Sequence, residues 1–198
     1  ALADVVATIE MAKLLRQSDA ELFTTLFRQR SKRAVGALLN LEQLTPLVHV
    51  SGMFGGARHN LAVVAPVAWH PRHHSEVICV DLARAPDFLA LAPDRVRELL
   101  FAPQGELPEG VERPPIKTVR LNRAPVLLPA SWVAGDTAER LGLQGEVHRR
   151  HLAALREARA ADPAKFVARF QDIWEERAFT DCRDPDVMLY DGFIGNGD

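Results

Sequence analysis

Residues 61–69, LAVVAPVAW, give the strongest indication of the fold class of this chain. This stretch consists of β-branched and apolar residues, as do LVHV at 47–50 and EVICVDL at 76–82, and Gly, Pro and His clusters separate the three. Two further segments of this kind follow, IKTVRLN at 116–122 and PVLL at 125–128. The alternation with long helices that a βαβ fold needs is missing. The sequence therefore predicts a small twisted β-barrel of about five strands.

Helical patterns flank and interrupt this barrel. Apolar residues three or four apart predict a helix over 2–16, and Asp19 is placed to cap the start of a second helix. Asp162 followed by Pro163 opens another helix. The other predicted helices are Ser31–Leu39, Pro93–Phe101, a short one that Asp136 caps and Gly142 ends, and Glu146–Arg159. The predicted fold class is α+β, with helices inserted into and flanking the barrel.

The composition is typical of a globular protein, with 198 residues of which 47% are hydrophobic and 25% charged. The 24 Lys and Arg against 26 Asp and Glu give a net charge of −2, which excludes a polycation of the histone type. Any nucleic-acid surface must therefore be a local patch.

The sequence has no apolar run of bilayer length and no signal-peptide pattern at its start, so a cytoplasmic protein with no membrane partner is expected. Cys79 and Cys182 are expected to be unpaired thiols.

Few residues in this chain point to catalysis by their spacing. His70, His73 and His74 lie together in WHPRHH, but Pro71 makes this segment a turn and no Cys or carboxylate completes a zinc ligand set at useful spacing. A solvated turn is favoured over a phosphate-contacting edge and over zinc. The nucleophile elbow, the phosphate-binding loop and the metalloprotease helix motif are all missing. Spacing alone does not argue for an enzyme.

Several motifs nevertheless resemble one family in the same order. They are DVVATIEMAK (4–13), PLVHVSGMFG (46–55), AWHP (68–71), PIKTVRLNRAPVL (115–127) and LYDGF (189–193). Together they resemble the bacterial exodeoxyribonuclease I family over essentially the whole chain. The resemblance implies a single-strand-specific 3′→5′ exonuclease of the DEDDh class, active in DNA repair and recombination. It also implies three parts: a nuclease domain, an SH3-like barrel and a C-terminal helical domain.

The resemblance divides the chain at two points. Residues 1–18 match the last helix of the nuclease domain, 19–176 the SH3-like domain with its helices, and 177–198 a linker with the start of the helical domain. In this class four carboxylates hold two Mg²⁺ ions and a His acts as general base. The opening ALAD matches the end of the family motif HDAxAD, so Asp4 corresponds to the fourth metal-binding acid. The other three acids and the His have no counterpart here, and the chain is expected to be inactive alone.

The family is expected to enclose a DNA strand by capturing phosphates and stacking bases on aromatic rings. Arg58, Lys117 and Arg123 supply donors in or beside the barrel strands, as do His59 and Arg120. Core packing is the alternative to base stacking for the aromatic side chains. The expected DNA-binding residues are Phe54, Arg58, Trp69, His70, Lys117, Asn122, Arg123 and Phe193.

The resemblance also implies a protein partner. Members of this family bind the acidic C-terminal tail of single-stranded-DNA-binding protein, which needs a basic pocket with an apolar floor. Arg156 lies at a position that resembles one of the family's basic tail contacts, and Arg149, one heptad earlier, shares its helical face. Thr25, Pro129 and Ala134 offer no charge at other pocket positions.

Three functional hypotheses remain open at this point. The chain is a DNA-channel module of an exonuclease, a docking module for the acidic tail, or a zinc hydrolase that uses the His cluster. A monomer is expected in each case. The salt dependence of oligonucleotide and tail-peptide binding separates the first two, and metal analysis tests the third.

Overall fold

The computed structural model describes residues 2–103 and 105–174. Five antiparallel strands form one sheet in the order β4-β3-β2-β1-β5. Their bounds are β1 Leu47–Val50, β2 Leu61–Trp69, β3 Glu76–Asp81, β4 Ile116–Arg120 and β5 Val126–Pro129. The prediction of an α+β fold with five strands is confirmed. The predicted fourth strand ends two residues early, because Leu121–Arg123 form a 3-10 turn.

This 3-10 turn shows that the sheet is strongly curled. A flat five-stranded sheet would hold its two edges about 19 Å apart, since neighbouring strands are spaced by about 4.8 Å. The chain crosses from edge strand β4 to edge strand β5 between Arg120 and Val126, and it spends half of that connection in a turn that rises only about 2 Å per residue. The edges must therefore approach each other, as in a small barrel.

Both faces of the curled sheet are buried, which explains why β2 reads as a continuous apolar run rather than as an alternating strand. The inner face carries residues from all five strands together with Val35 of α3. The inner core consists of Val35, Leu47, Ala62, Val64, Val77, Cys79, Val119, Leu121 and Leu127. The outer face packs Val63, Val67, Ile78 and Val80 against the helical residues Val96, Leu152, Leu155, Phe166 and Phe170.

Seven α-helices lie in the described ranges. They are α1 Leu2–Ser18, α2 Ala20–Arg28, α3 Lys32–Gly36, α4 Pro93–Phe101, α5 Asp136–Arg140, α6 Gly145–Ala161 and α7 Pro163–Asp172. Two predicted caps are confirmed: Asp19 accepts from the Leu22 N–H at 2.8 Å, and Asp162 accepts from the Lys165 N–H at 2.9 Å. The N-cap predicted at Asp136 is wrong. Gly135, at a positive φ of 59°, precedes the helix and Asp136 is its first residue.

Helix α1 has no buried residue although it is 17 residues long. Its apolar side chains, including Val5, Ile9, Leu14 and Leu15, are exposed. They are spread around the helix rather than gathered on one stripe, which is typical of a helix that is covered on several sides. In the described part of the chain, no helix is both long and apolar enough to cross a membrane.

The edge strand β5 is completed by a side chain instead of another strand. Gln29, which ends α2, is buried; its Nε2 donates to the Leu127 carbonyl and its Oε1 accepts from the Leu127 N–H at 3.1 Å. An amide side chain offers one donor and one acceptor, the same pair that a neighbouring strand would present. Gln29 therefore satisfies the backbone of an edge that would otherwise be buried without partners.

Candidate nucleic-acid interface

The predicted aromatic platform Phe54 lies in a cluster at one end of the barrel. The β1–β2 loop folds into two 3-10 turns, Gly52–Phe54 and Gly56–Arg58. The Phe54 ring packs edge-on against His49, with centroids 5.7 Å apart. The Lys117 ammonium lies 5.0 Å from the centroid of this ring and the Arg58 guanidinium 5.5 Å. We call these residues, together with Ser51, the Phe54 cluster.

Arg58 is hydrogen-bonded to another side chain of the protein, Asp81. Its Nη1 and Nη2 donate to the two carboxylate oxygens of Asp81, at 2.6 and 3.1 Å, and hydrogen bonding to Asp81 raises the pKa of Arg58. The Asp81 side chain is buried, and its Oδ1 also accepts from the Ala83 N–H at 3.0 Å. Both terminal nitrogens of the Arg58 guanidinium therefore already donate to Asp81. Sequence reasoning missed Asp81, since an acid at the end of a buried strand gives no local sign of its partner.

Lys117 is half-buried, and its Nζ donates to Ser51 Oγ at 2.7 Å and lies 3.4 Å from Met53 Sδ. Burial lowers the pKa of Lys117. Burial likewise lowers the pKa of His49, whose Nδ1 lies 2.9 Å from the Val126 carbonyl oxygen and donates to it. The end of the barrel at the Phe54 cluster therefore combines one ammonium, one aromatic face and a neutral imidazole.

Asn122 and Arg123 lie beyond the other end of β4. Both are exposed in the 3-10 turn that follows the strand, and Ala124 after them adopts a left-handed φ of 44°. Within residues 2–103 and 105–174, Arg123 has no hydrogen bond or ion pair, so its donors face solvent. Lys117 lies near the start of β4 and Arg123 just after its end, so the predicted residues do not form a single cluster.

Trp69 and His70, neighbours at the end of β2, differ in their exposure to solvent. Trp69 is 42% exposed and its carbonyl accepts from Gln171 Nε2 at 3.2 Å. His70 is only 5% exposed, and its ring lies 5.6 Å from that of Trp174. The expected solvated turn is therefore wrong for His70, whose pKa is lowered by burial.

The turn after His70 is held by the His70 ring itself. Its Nδ1 accepts from the backbone N–H groups of Arg72 and His73, at 3.1 and 3.2 Å. His73 and His74 are exposed, as expected. The predicted residue Phe193 lies outside the described residues.

Asp4, the predicted metal ligand, lies on the exposed first turn of α1. A Mg²⁺ ion prefers several oxygen ligands in octahedral geometry. The described residues contain no group of three or more His, Cys, Asp or Glu side chains that could hold a metal ion. The residues described in this chain therefore do not fit a two-Mg²⁺ centre by themselves, and His70, His73 and His74 form no metal-binding group among them.

The predicted tail contacts lie on α6. Arg149 lines an apolar cavity of about 320 Å³ together with Leu82, Ala134, Leu143 and other side chains. Arg156, one heptad later, donates from Nε and Nη2 to the Gln43 carbonyl at 3.0 and 2.9 Å, although it remains exposed. Of the uncharged pocket positions, Ala134 lines the cavity, whereas Thr25 is on α2 and Pro129 ends β5. A positive charge and an apolar hollow are thus adjacent.

The family model described as "Exonuclease I SH3-like domain" matches residues 30–175. Exodeoxyribonuclease I of Haemophilus influenzae and that of Escherichia coli K12 are each 41% identical to the chain; both alignments cover 100% of this chain and 41% of the relative. The chain thus spans about two fifths of the length of these relatives.

Two solved structures of exonuclease I, the first from E. coli, show the same fold. One is a complex with a 5cy-dT13 oligonucleotide, which matches with a TM-score of 0.83 at 39% identity and covers 98% of this chain and 40% of that chain. The other, of SSB/Exonuclease I in complex with inhibitor CFAM, matches with a TM-score of 0.81 at 38% identity, over 100% of this chain and 40% of that chain.

Proposed function

This chain belongs to the exonuclease I SH3-like domain family, and we propose that it is the strand-holding module of a single-stranded-DNA-specific 3′→5′ exodeoxyribonuclease. The main observation that supports this proposal is the exposed Asn122–Arg123 turn. Its arginine has no partner among the described residues and is therefore available to bind phosphate. The complex of the E. coli relative with a 5cy-dT13 oligonucleotide supports the same ligand class.

Within this module the predicted residues take different roles. Lys117, Asn122 and Arg123 are the proposed phosphate contacts, and Phe54 and Trp69 the proposed stacking surfaces. Arg58 is assigned to the fold because Asp81 engages it. His70 is assigned to the turn that its ring holds.

The test is a titration of labelled oligo-dT with the full-length protein in EDTA, at several salt concentrations. Arg123→Ala is expected to weaken binding and to reduce the slope of log K against log salt by about 0.7, the value for one phosphate contact on a single strand. Arg140→Ala, an exposed arginine on α5, is the matched control. Unchanged affinity of the Arg123 variant for the oligonucleotide at low salt would count against the proposal that Arg123 binds the DNA strand.

We also propose that this chain has no exonuclease activity of its own, and that a divalent ion, Mg²⁺, acts only in the full-length enzyme with Asp4 among its ligands. The support is the chemistry of the donor set, because a single carboxylate does not form a two-metal centre. Mg²⁺-dependent release of nucleotides from single-stranded DNA by the purified 198-residue chain would overturn this proposal.

A second candidate function is docking of the acidic C-terminal tail of single-stranded-DNA-binding protein. The specific observation is the apolar cavity beside Arg149, which offers a floor for an apolar side chain and a cation for a carboxylate. Arg156 extends the same helical face. A labelled acidic tail peptide should bind more weakly to Arg149→Ala than to Arg140→Ala, and equal affinities would remove this candidate.

We propose a monomer in the bacterial cytoplasm that acts in DNA repair and recombination. We also keep the division of the chain at 18/19 and 176/177, with the last piece outside the described residues. Limited proteolysis of the full-length protein tests these boundaries, since exposed linkers are cleaved first.

A further inference from the structure

Three segments that are distant in sequence meet at Ser75, in the turn between β2 and β3. Lys32 Nζ, at the start of α3, donates to Ser75 Oγ at 2.7 Å. The Leu121 N–H, at the start of the 3-10 turn, donates to the Ser75 carbonyl at 2.8 Å. The α2–α3 junction, the β2–β3 turn and the turn after β4 therefore form one continuous surface. We call residues 28–36, 70–76 and 119–125 together the Ser75 surface.

The Ser75 surface carries a strong positive charge in a chain that is almost neutral. It holds seven Arg and Lys and one acid, Glu76, so its net charge is +6 while the whole chain has −2. Glu76 is buried and paired with Arg120 Nε at 2.8 Å, so it does not offer a competing negative charge to a ligand. The seven basic residues are Arg28, Arg30, Lys32, Arg33, Arg72, Arg120 and Arg123, and all are exposed.

An exposed aromatic ring borders this surface. Phe27 is 53% exposed and lies parallel to Phe23, with ring centroids 6.2 Å apart and an interplanar angle of 10°. The Arg30 guanidinium lies 4.0 Å from the Phe27 centroid. A guanidinium on a ring is a flat, charged plane on which a base can stack, and this distinguishes a nucleic-acid strand from an acidic peptide as the ligand.

We propose that the Ser75 surface is the path along which the phosphate backbone of the single strand leaves the Asn122–Arg123 turn, with Arg30 and Arg33 as phosphate contacts. This inference rests on the proposed function and adds the α2–α3 and β2–β3 segments to it. It also separates this path from the Phe54 cluster, where Arg58 is already engaged by Asp81.

The test uses the full-length protein in EDTA and a labelled oligo-dT long enough to extend past Arg123. The double variant Arg30→Gln/Arg33→Gln should lower the salt slope by about 1.4, corresponding to two single-strand phosphate contacts, and weaken binding by about tenfold or more at low salt. The matched control is Arg95→Gln/Arg140→Gln, which removes the same charge from α4 and α5. Circular dichroism of each variant checks that the fold is retained.

The outcomes separate this inference from the function on which it rests. An unchanged slope in the double variant, together with weaker binding by Arg123→Ala, would overturn the Ser75 path and leave the proposed function standing. Absence of oligonucleotide binding by the unmodified protein would overturn both. An equal loss in the control variant, or equal competition by polyglutamate of matched charge, would show a general effect of charge and would also overturn the path.

Discussion

Replacing Arg58 with Ala tests whether this arginine serves the fold or the nucleic acid. In the folded chain its guanidinium donates two hydrogen bonds to Asp81, whose side chain is only 8% exposed. The substitution leaves that carboxylate largely buried, with the Ala83 N–H as its remaining donor in the described part of the chain. We expect a protein that still folds but is less stable.

The magnitude follows from the burial of the two partners. Removing one side of a buried ion pair costs about 3–5 kcal/mol, and a hydrogen bond to a charged group contributes about 1.5–3 kcal/mol. The Arg58 side chain is 34% exposed, so water screens the pair and the loss should be about 2–3 kcal/mol. In a chain of this size each kcal/mol lowers Tm by about 2–4 °C, which corresponds to a decrease of about 4–12 °C.

Thermal and urea unfolding, followed by circular dichroism, measure this loss. Asp81→Asn and the double variant complete a thermodynamic cycle, and the double variant should lose less than the sum of the single ones because the buried charge is removed with its partner. Arg95→Ala is the control. Its exposed pair with Glu98, at 2.7 Å, should contribute about 0.5 kcal/mol or less.

Oligonucleotide affinity, measured below the unfolding transition, separates the two roles. We expect the Arg58→Ala protein to bind within about twofold of the unmodified protein, because no free donor is lost from the surface. Unchanged stability together with clearly weaker oligonucleotide binding would contradict a structural role and assign Arg58 to the DNA interface.

Three further predictions concern buried groups of the barrel. Gln29→Ala should lower the free energy of unfolding by about 2–4 kcal/mol in urea titrations, because it leaves a backbone donor and acceptor of β5 unpaired, whereas the exposed Gln17→Ala should change it little. Burial lowers the pKa of His49 from 6.5, so the unfolded chain binds more protons; stability should be complete above about pH 6.5 and decrease below it, and His49→Asn should flatten this dependence in guanidinium titrations. Burial raises the pKa of Cys79 to about 12, so in a Cys182→Ser background the native thiol should resist iodoacetamide at neutral pH and react on unfolding.

Most of the fold could be predicted because its signals are local. β-branched runs and the turn residues between them located all five strands, and side chains that cap their own helix located the starts of α2 and α7. The errors occurred at element ends. There Leu121–Arg123 and Gly135 adopt backbone conformations that the pattern of apolar residues does not encode.

For the candidate site, the sequence predicted which kinds of side chain take part but not which of them are free to bind a ligand. The sequence showed that a near-neutral chain must concentrate its positive charge locally, and its motifs indicated the exonuclease family that the comparisons support. Which cations remain available was not predictable, because each partner comes from another part of the chain: Asp81 lies 23 residues from Arg58, and Ser75 lies 43 residues from Lys32.

The strands, the starts of α2 and α7 and the family of this chain could thus be read from the sequence, because they depend on neighbouring residues or on the order of motifs along the chain. By contrast, the pairing of Arg58 with Asp81, the burial of His70 and the meeting of three basic segments at Ser75 became visible only in the folded chain. Folding brings together residues that are far apart in the sequence, as in the pairing of Gln29 with Leu127, 98 positions away. Charge and polarity are fixed by residue type, but the partner of each group is fixed by packing.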